Sequence, residues 1–181
     1  ILRDFKNLPT QKQTLLKDLN VMTIKPEKVG FWGSSFGAVV GSLVVAKDPN
    51  IKAAVLSMGG GDLPYIIAHS KISLFKKTRE QQMKHLGMDS VDEYEDFISN
   101  YIFSDPLNYA KESHRKKLYM ILAKKDRSVP TTSQYKLHQQ FGSPPRSRIY
   151  GTHVFSLLFT SWFNHSSSRE AMDSLVEKFN N

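Results

Sequence analysis

Apolar residues recur along the chain in two rhythms. Short unbroken apolar runs bounded by turn residues predict buried strands at 28–32 and at 52–58, the latter reading KAAVLSM. The run KKLYMILAKKD, from Lys116 to Asp126, predicts a third strand over 117–123, and Arg146 to Tyr150 a fourth. Between the runs the spacing changes to that of helices. Thr10 to Leu19 follows Pro9 and puts Leu15, Leu16 and Leu19 on one face. Phe36 to Ala46 reads as a helix of small residues, ended by Asp48-Pro49-Asn50. Thr131 to Phe141 is a helix with Gly142 beyond its end, and Ser168 to Phe179 is a last one. Lys25-Pro26-Glu27 and Gly59-Gly60-Gly61 are breaks.

From Asp62 to Tyr109 the strand signal disappears. Pro64 to Phe75 and Thr78 to Leu86 read as helices, and Ser90 to Ile102 is the clearest helix in the chain. Ser90 and Glu93 have the spacing of a capping box, and Val91, Tyr94, Phe97, Ile98 and Tyr101 share a face. Strands separated by helices imply βαβ units, hence an α/β class with about four parallel strands. The segment 62–109 is too long for a plain crossover. It reads as a helical insertion, in the place of a lid or cap, within a core made of 1–61 and 110–181.

Composition narrows the classes. The chain has 181 residues, 40% hydrophobic and 23% charged, which is one domain with enough apolar material for a core. No apolar window is long enough to span a membrane. There is no signal-peptide pattern, but the chain opens at Ile1 rather than Met, so an upstream segment is expected. With no cysteine, disulfides, thiol catalysis and Cys-based zinc sites are excluded, and no compartment is singled out. The net charge is +8. Lys and Arg are scattered, and the densest clusters, Lys76-Lys77-Thr78-Arg79 and His114-Arg115-Lys116-Lys117, have no interleaved aromatics. The charge therefore reads as a solvated basic surface and not a nucleic-acid site.

The stretch Gly33-Ser34-Ser35-Phe36-Gly37 fits G-x-S-x-G, between a strand and a helix. That pattern describes a tight strand-to-helix turn with a strained serine, here Ser35, at its apex. Gly33 and Gly37 are expected to let the two limbs approach without a Cβ clash. A nucleophilic serine needs a base, and the base an orienting acid, in the order Ser, Asp or Glu, His for this sheet type. Asp126 follows the third strand and His153 the fourth, so both fall past strand ends on one edge. His69, His85 and His114 precede Asp126 and break the order. His138 lies inside a helix, and His165 lies far beyond the last strand. Asp105, in Asp105-Pro106-Leu107, reads as a turn or N-cap.

With these residues in place the chain resembles the C-terminal part of an α/β-hydrolase, nearest to the dienelactone-hydrolase and acyl-peptidase-like esterases. The resemblance rests on the serine motif, IKAAVLSMGGGDL, DPLNYA, KKDRSVP and GTH, and runs from about Lys28 to the end. It implies Ser35 as nucleophile, His153 as general base and acid, Asp126 as orienting carboxylate, and the Phe36 backbone N–H as half of an oxyanion hole. No cofactor or metal is implied. The resemblance also implies about four further strands, one supplying the second oxyanion donor. Without them the strand at 28–32 is an open edge, expected to be covered by a missing N-terminal half, by residues 1–20 or by a second copy of the chain. The expected activity is hydrolysis of a small-molecule carboxylic ester through an acyl-serine. The alternatives are a peptidase or amidase of the same fold, and a catalytically incompetent fragment that acts as a binding or regulatory module.

Overall fold

The computed structural model describes residues 29–113 and 117–153, together with the single position Asp173. The expected helices at 10–19 and 168–179, and all but Lys117 of the second basic cluster, lie outside the described residues. Strand β1 (Val29–Ser34) leads through Ser35 into helix α1 (Phe36–Lys47), followed by β2 (Ile51–Ser57). Helices α2 (Leu63–His69), α3 (Ser73–Leu86), α4 (Val91–Ser99) and the short α5 (Pro106–Tyr109) come next, with a 3-10 turn at Ala110–Ser113. Then come β3 (Lys117–Ala123), α6 (Thr131–Gln140) and β4 (Arg146–Ile149). The four strands form one parallel sheet in the order β1-β2-β3-β4.

The near-continuous apolar character of β2 and β3 follows from burial on both faces. Ala54, Leu56, Leu118, Met120 and Leu122 point to one face, where Ala38 and Val45 of α1 and Leu137 of α6 cover them. Val55, Tyr119, Ile121 and Ile149 form the smaller cluster on the other face. Small residues on α1 allow close approach to the sheet. A Cβ on Gly59, just past β2, would stand 2.7 Å from the Ala38 Cβ and 3.0 Å from its carbonyl carbon. Among the described residues β1 pairs only with β2. On α1 the exposed Phe36, Val40 and Val44 recur every fourth residue as one apolar stripe. Residues 1–20, one of the covers expected for this edge, lie outside the described residues.

Three boundaries differ from the sequence reading. β1 runs on to Ser34, so the first glycine and first serine of the motif are strand residues. The helix expected over 64–75 ends at His69, and a new one starts at Ser73. The cause is Ser70, which is fully buried: its hydroxyl donates to the Ser128 carbonyl at 2.7 Å and accepts the Ile72 N–H at 3.2 Å. A side chain tied across the fold in this way outcompetes local helix propensity. The helix expected to reach Ile102 stops at Ser99, leaving Tyr101 exposed and off the buried face. Its start is as expected, with the Glu93 N–H donating to the Ser90 hydroxyl at 3.1 Å.

His138 is buried on α6. Its Nε2–H donates to the Pro144 carbonyl at 2.9 Å, and its Nδ1 accepts from Arg146 at 2.8 Å, which suits only the neutral ring. Burial pushes its pKa below the ordinary 6.5; the Pro144 carbonyl opposes that shift and the Arg146 guanidinium reinforces it.

Two outcomes follow from this packing. Gly59→Ala is expected to destabilise the fold by about 1–3 kcal/mol, because the added methyl meets α1 backbone that cannot swing aside; urea denaturation measures it. The depressed pKa of His138 means that the unfolded chain takes up its proton first. The stability His138 contributes is therefore complete above the unfolded value and lost as pH falls through the folded one. The urea midpoint should drop as pH is lowered from the ordinary histidine value of 6.5, and His138→Gln should flatten that drop.

Candidate active site

The sheet register brings the site together. Ser34 lies opposite Ser57, Ser57 opposite Ile121, and Ala123 opposite Ile149, so the loops after β1, β3 and β4 open on one edge. Ser35 has φ 54° and ψ −124°, left-handed backbone that a residue with a Cβ seldom adopts. It is held there by its own N–H, which donates to the Ser57 carbonyl at 2.8 Å, and by its carbonyl, which accepts from Ala38 and Val39 at 2.9 and 3.0 Å. The sharp turn needs Gly33: a Cβ there would stand 2.6 Å from the Gly37 carbonyl oxygen. Gly37 is different. A Cβ on it would meet nothing within 4 Å, so the expected steric need for glycine falls on Gly33 alone.

The Ser35 hydroxyl lies 2.6 Å from Nε2 of His153, and Nδ1 of His153 lies 2.6 Å from Oδ2 of Asp126. The Asp126 side chain is fully enclosed and that of His153 nearly so. The loop that carries the acid is itself held. Oδ1 of Asp126 accepts from the N–H groups of Ser128 and Val129 at 2.8 and 3.0 Å, an Asx turn that caps the approach to α6. Lys124 and Lys125 donate their N–H groups to the carbonyls of Ile149 and Gly151, so the β3–β4 pairing continues to within two residues of His153. Ser34 faces elsewhere, its hydroxyl buried and without a hydrogen-bond partner among the described residues. Phe36 opens α1 directly after Ser35 and is 75% exposed. Its N–H is one of the first-turn donors that a helix leaves without an internal partner.

Two buried polar residues have roles that the sequence did not reveal. Gln134 of α6 places Nε2 at 3.0 Å from Oδ2 of Asp126. Asp105, expected as a turn or N-cap, caps α5 through the Leu107 N–H at 2.8 Å and also accepts from the N–H groups of Asp62 and Leu63. It thereby ties the loop after β2 to the end of the helical segment, and Lys136 of α6 pairs with Asp62 beside it. A signal was present for Asp105, in its position before Pro106. None was present for Gln134, which looks like any polar helix residue. Of the histidines set aside on chain order, His69 stacks against Tyr65 and bonds Glu95 at 2.8 Å. Asp92 stands near that pair, so one ligand atom from each of the three lies within 4.8 Å of the others. That group is half exposed and is built on α2 and α4, not on the edge that holds Ser35.

The sequence matches no protein-family model and no curated protein. Its structure is similar to solved α/β-hydrolase-fold structures, and the chain has that fold, in part. An acylaminoacyl peptidase of Pyrococcus horikoshii superposes with a TM-score of 0.56 at 19% identity, over 93% of this chain and 26% of that one. An esterase of Pyrococcus furiosus gives 0.55 at 19% identity, over 92% and 57%. An alpha/beta hydrolase of a Penicillium species gives 0.58 at 14%, over 94% and 71%. The chain thus spans about a quarter of the first and somewhat over half of the second.

The two adjacent serines are separable by experiment. Ser35→Ala is expected to abolish covalent labelling by a fluorophosphonate probe. Ser34→Ala should leave labelling intact, with stability unchanged or slightly raised, since it removes a buried hydroxyl that lacks a partner. Equal losses in both variants would make the motif a structural turn only.

Proposed function

We propose that the protein is a serine hydrolase that cleaves a carboxylic ester by acyl transfer to water, with Ser35, His153 and Asp126 as its catalytic residues. The observation that carries this reading is the pair of 2.6 Å contacts running from the Ser35 hydroxyl through His153 to an enclosed carboxylate. Neutral His153 carries its proton on Nδ1, facing Asp126, which leaves Nε2 free to accept from Ser35. Ser35 Oγ attacks the carbonyl carbon as its proton passes to Nε2. The imidazolium so formed is stabilised by Asp126, and the Phe36 N–H faces the oxygen on which charge develops. His153 then gives the proton to the departing alcohol. Water attacks the acyl-serine by the same route in reverse, and Ser35 is regenerated.

An ester with an apolar acyl group is favoured by the exposed Phe36 beside the nucleophile and by the aromatic residues of the segment 62–109, which we assign as the lid. The likeness to an acylaminoacyl peptidase keeps a peptidase as the second reading. A panel of alkyl esters of simple carboxylic acids and of aminoacyl anilides separates them. Turnover of the esters without the anilides is expected; the reverse pattern would assign a peptidase. Asp126→Asn should lower kcat by about 10⁴-fold, the loss seen when a triad imidazole is left in the wrong tautomer. A small loss would remove Asp126 from the mechanism.

A further inference from the structure

Asp126 receives four hydrogen bonds, and they divide unequally in kind. Oδ1 is occupied by the backbone of its own loop. Oδ2, the oxygen that meets His153, is shared with one further group, the side-chain amide of Gln134 at 3.0 Å. Gln134 is completely buried. Its second Nε2 hydrogen goes to the Val129 carbonyl at 2.9 Å, and its Oε1 accepts the Ala123 N–H at 3.0 Å. The amide can take only one orientation. Turned over, it would set its oxygen against a carboxylate and a carbonyl and its NH₂ against an N–H. One side chain therefore joins the last residue of β3, the acid, and the end of the acid's loop.

We propose that Gln134 is a positioning residue for the acid. It holds Oδ2 of Asp126 in line with Nδ1 of His153 and takes a share of the negative charge that would otherwise fall on the imidazole. This rests on the acyl-transfer reading of Ser35, His153 and Asp126. Two physical consequences separate positioning from mere packing. Without the amide, Oδ2 is fixed only by His153 and by the two bonds to Oδ1, and a small misplacement in a catalytic relay reduces the chemical step more than binding. With one donor fewer on Oδ2, the carboxylate stabilises the imidazolium more strongly, so His153 stays protonated to higher pH. Lys124, Lys125 and Arg127, the exposed cations on the same turn, are unaltered in such variants.

The test compares Gln134→Met, which keeps length and removes the hydrogen bonds, with Gln134→Asn, whose shorter amide falls short of Oδ2. The first readout is the pH profile of ester hydrolysis. In both variants kcat should fall about ten- to a hundredfold with KM little changed, and the acid limb should move to higher pH. The second readout is the titration of His153 by NMR, which needs no turnover and should shift in the same direction. Failure of fluorophosphonate labelling in the unaltered protein would sink the hydrolase reading and leave the NMR comparison standing. If Gln134→Met does not fold, Gln134→Asn carries the comparison. Folded variants of lowered stability, with kcat, acid limb and His153 titration all unchanged, would overturn the proposal and leave Gln134 as a packing residue.

Discussion

A single backbone conformation organises this molecule. Ser35 sits at φ 54° between a strand and a helix, in a region that costs a residue with a side chain on the order of 1–3 kcal/mol. Such a conformation persists only where its surroundings leave no alternative. Here β2 takes the Ser35 N–H, the first turn of α1 takes its carbonyl, and Gly33 gives the helix room to start. The strain is thus supported by the parallel pairing of β1 with β2 and by the close seat of α1 on the sheet. Loosening either would let the serine relax into ordinary backbone and swing its hydroxyl away from His153.

The same parallel order accounts for the convergence of three residues distant in sequence. Ser35 and His153 are 118 residues apart. No local preference could join them, but parallel strands end on a common edge, and the loops that leave that edge are neighbours. Extension of the β3–β4 pairing through Lys124 and Lys125 then sets the two partner loops in register. The side chains that meet lie on loops, while the precision of their meeting comes from strands.

Much of this was legible in the residues. Apolar runs bounded by breaks located all four strands to within two residues, and the serine motif between a strand and a helix pointed to Ser35. The edge argument then pointed to Asp126 and His153, which the structure places within hydrogen-bond distance of each other, with His153 in turn within reach of Ser35. Their catalytic roles rest on the proposal. What the sequence hid was long-range and polar. Ser70 breaks a helix because of a partner 58 residues away. Gln134 sits eight residues past the acid in a helix whose pattern shows no reason for a buried amide. Gly37 satisfies a motif without a steric need for glycine. Local pattern reports propensity and amphipathicity, and none of these three is a matter of either.

The acid loop is the point where these long-range contacts accumulate. Gln134 holds it from α6, and His153 from the end of β4. From the third side the Ser70 hydroxyl bonds Ser128, and the Lys71 N–H donates to Arg127 at 2.8 Å. The start of the helical segment 62–109 is therefore fastened to the loop that carries Asp126, with Asp105 fastening its two ends to each other. Beyond Ile72 the attachment changes character. No residue of α3 is buried, and Leu74 on it is largely exposed. Its tie back to α2 is Arg79, whose guanidinium donates to the Ala68 and Ser70 carbonyls. Elements with few buried apolar contacts open at the least cost in free energy. The segment 62–109 thus divides at Ser70 into a part bonded directly to the acid loop and a helix held by few buried contacts, which Gln82 joins to Tyr94 of α4 on its other side.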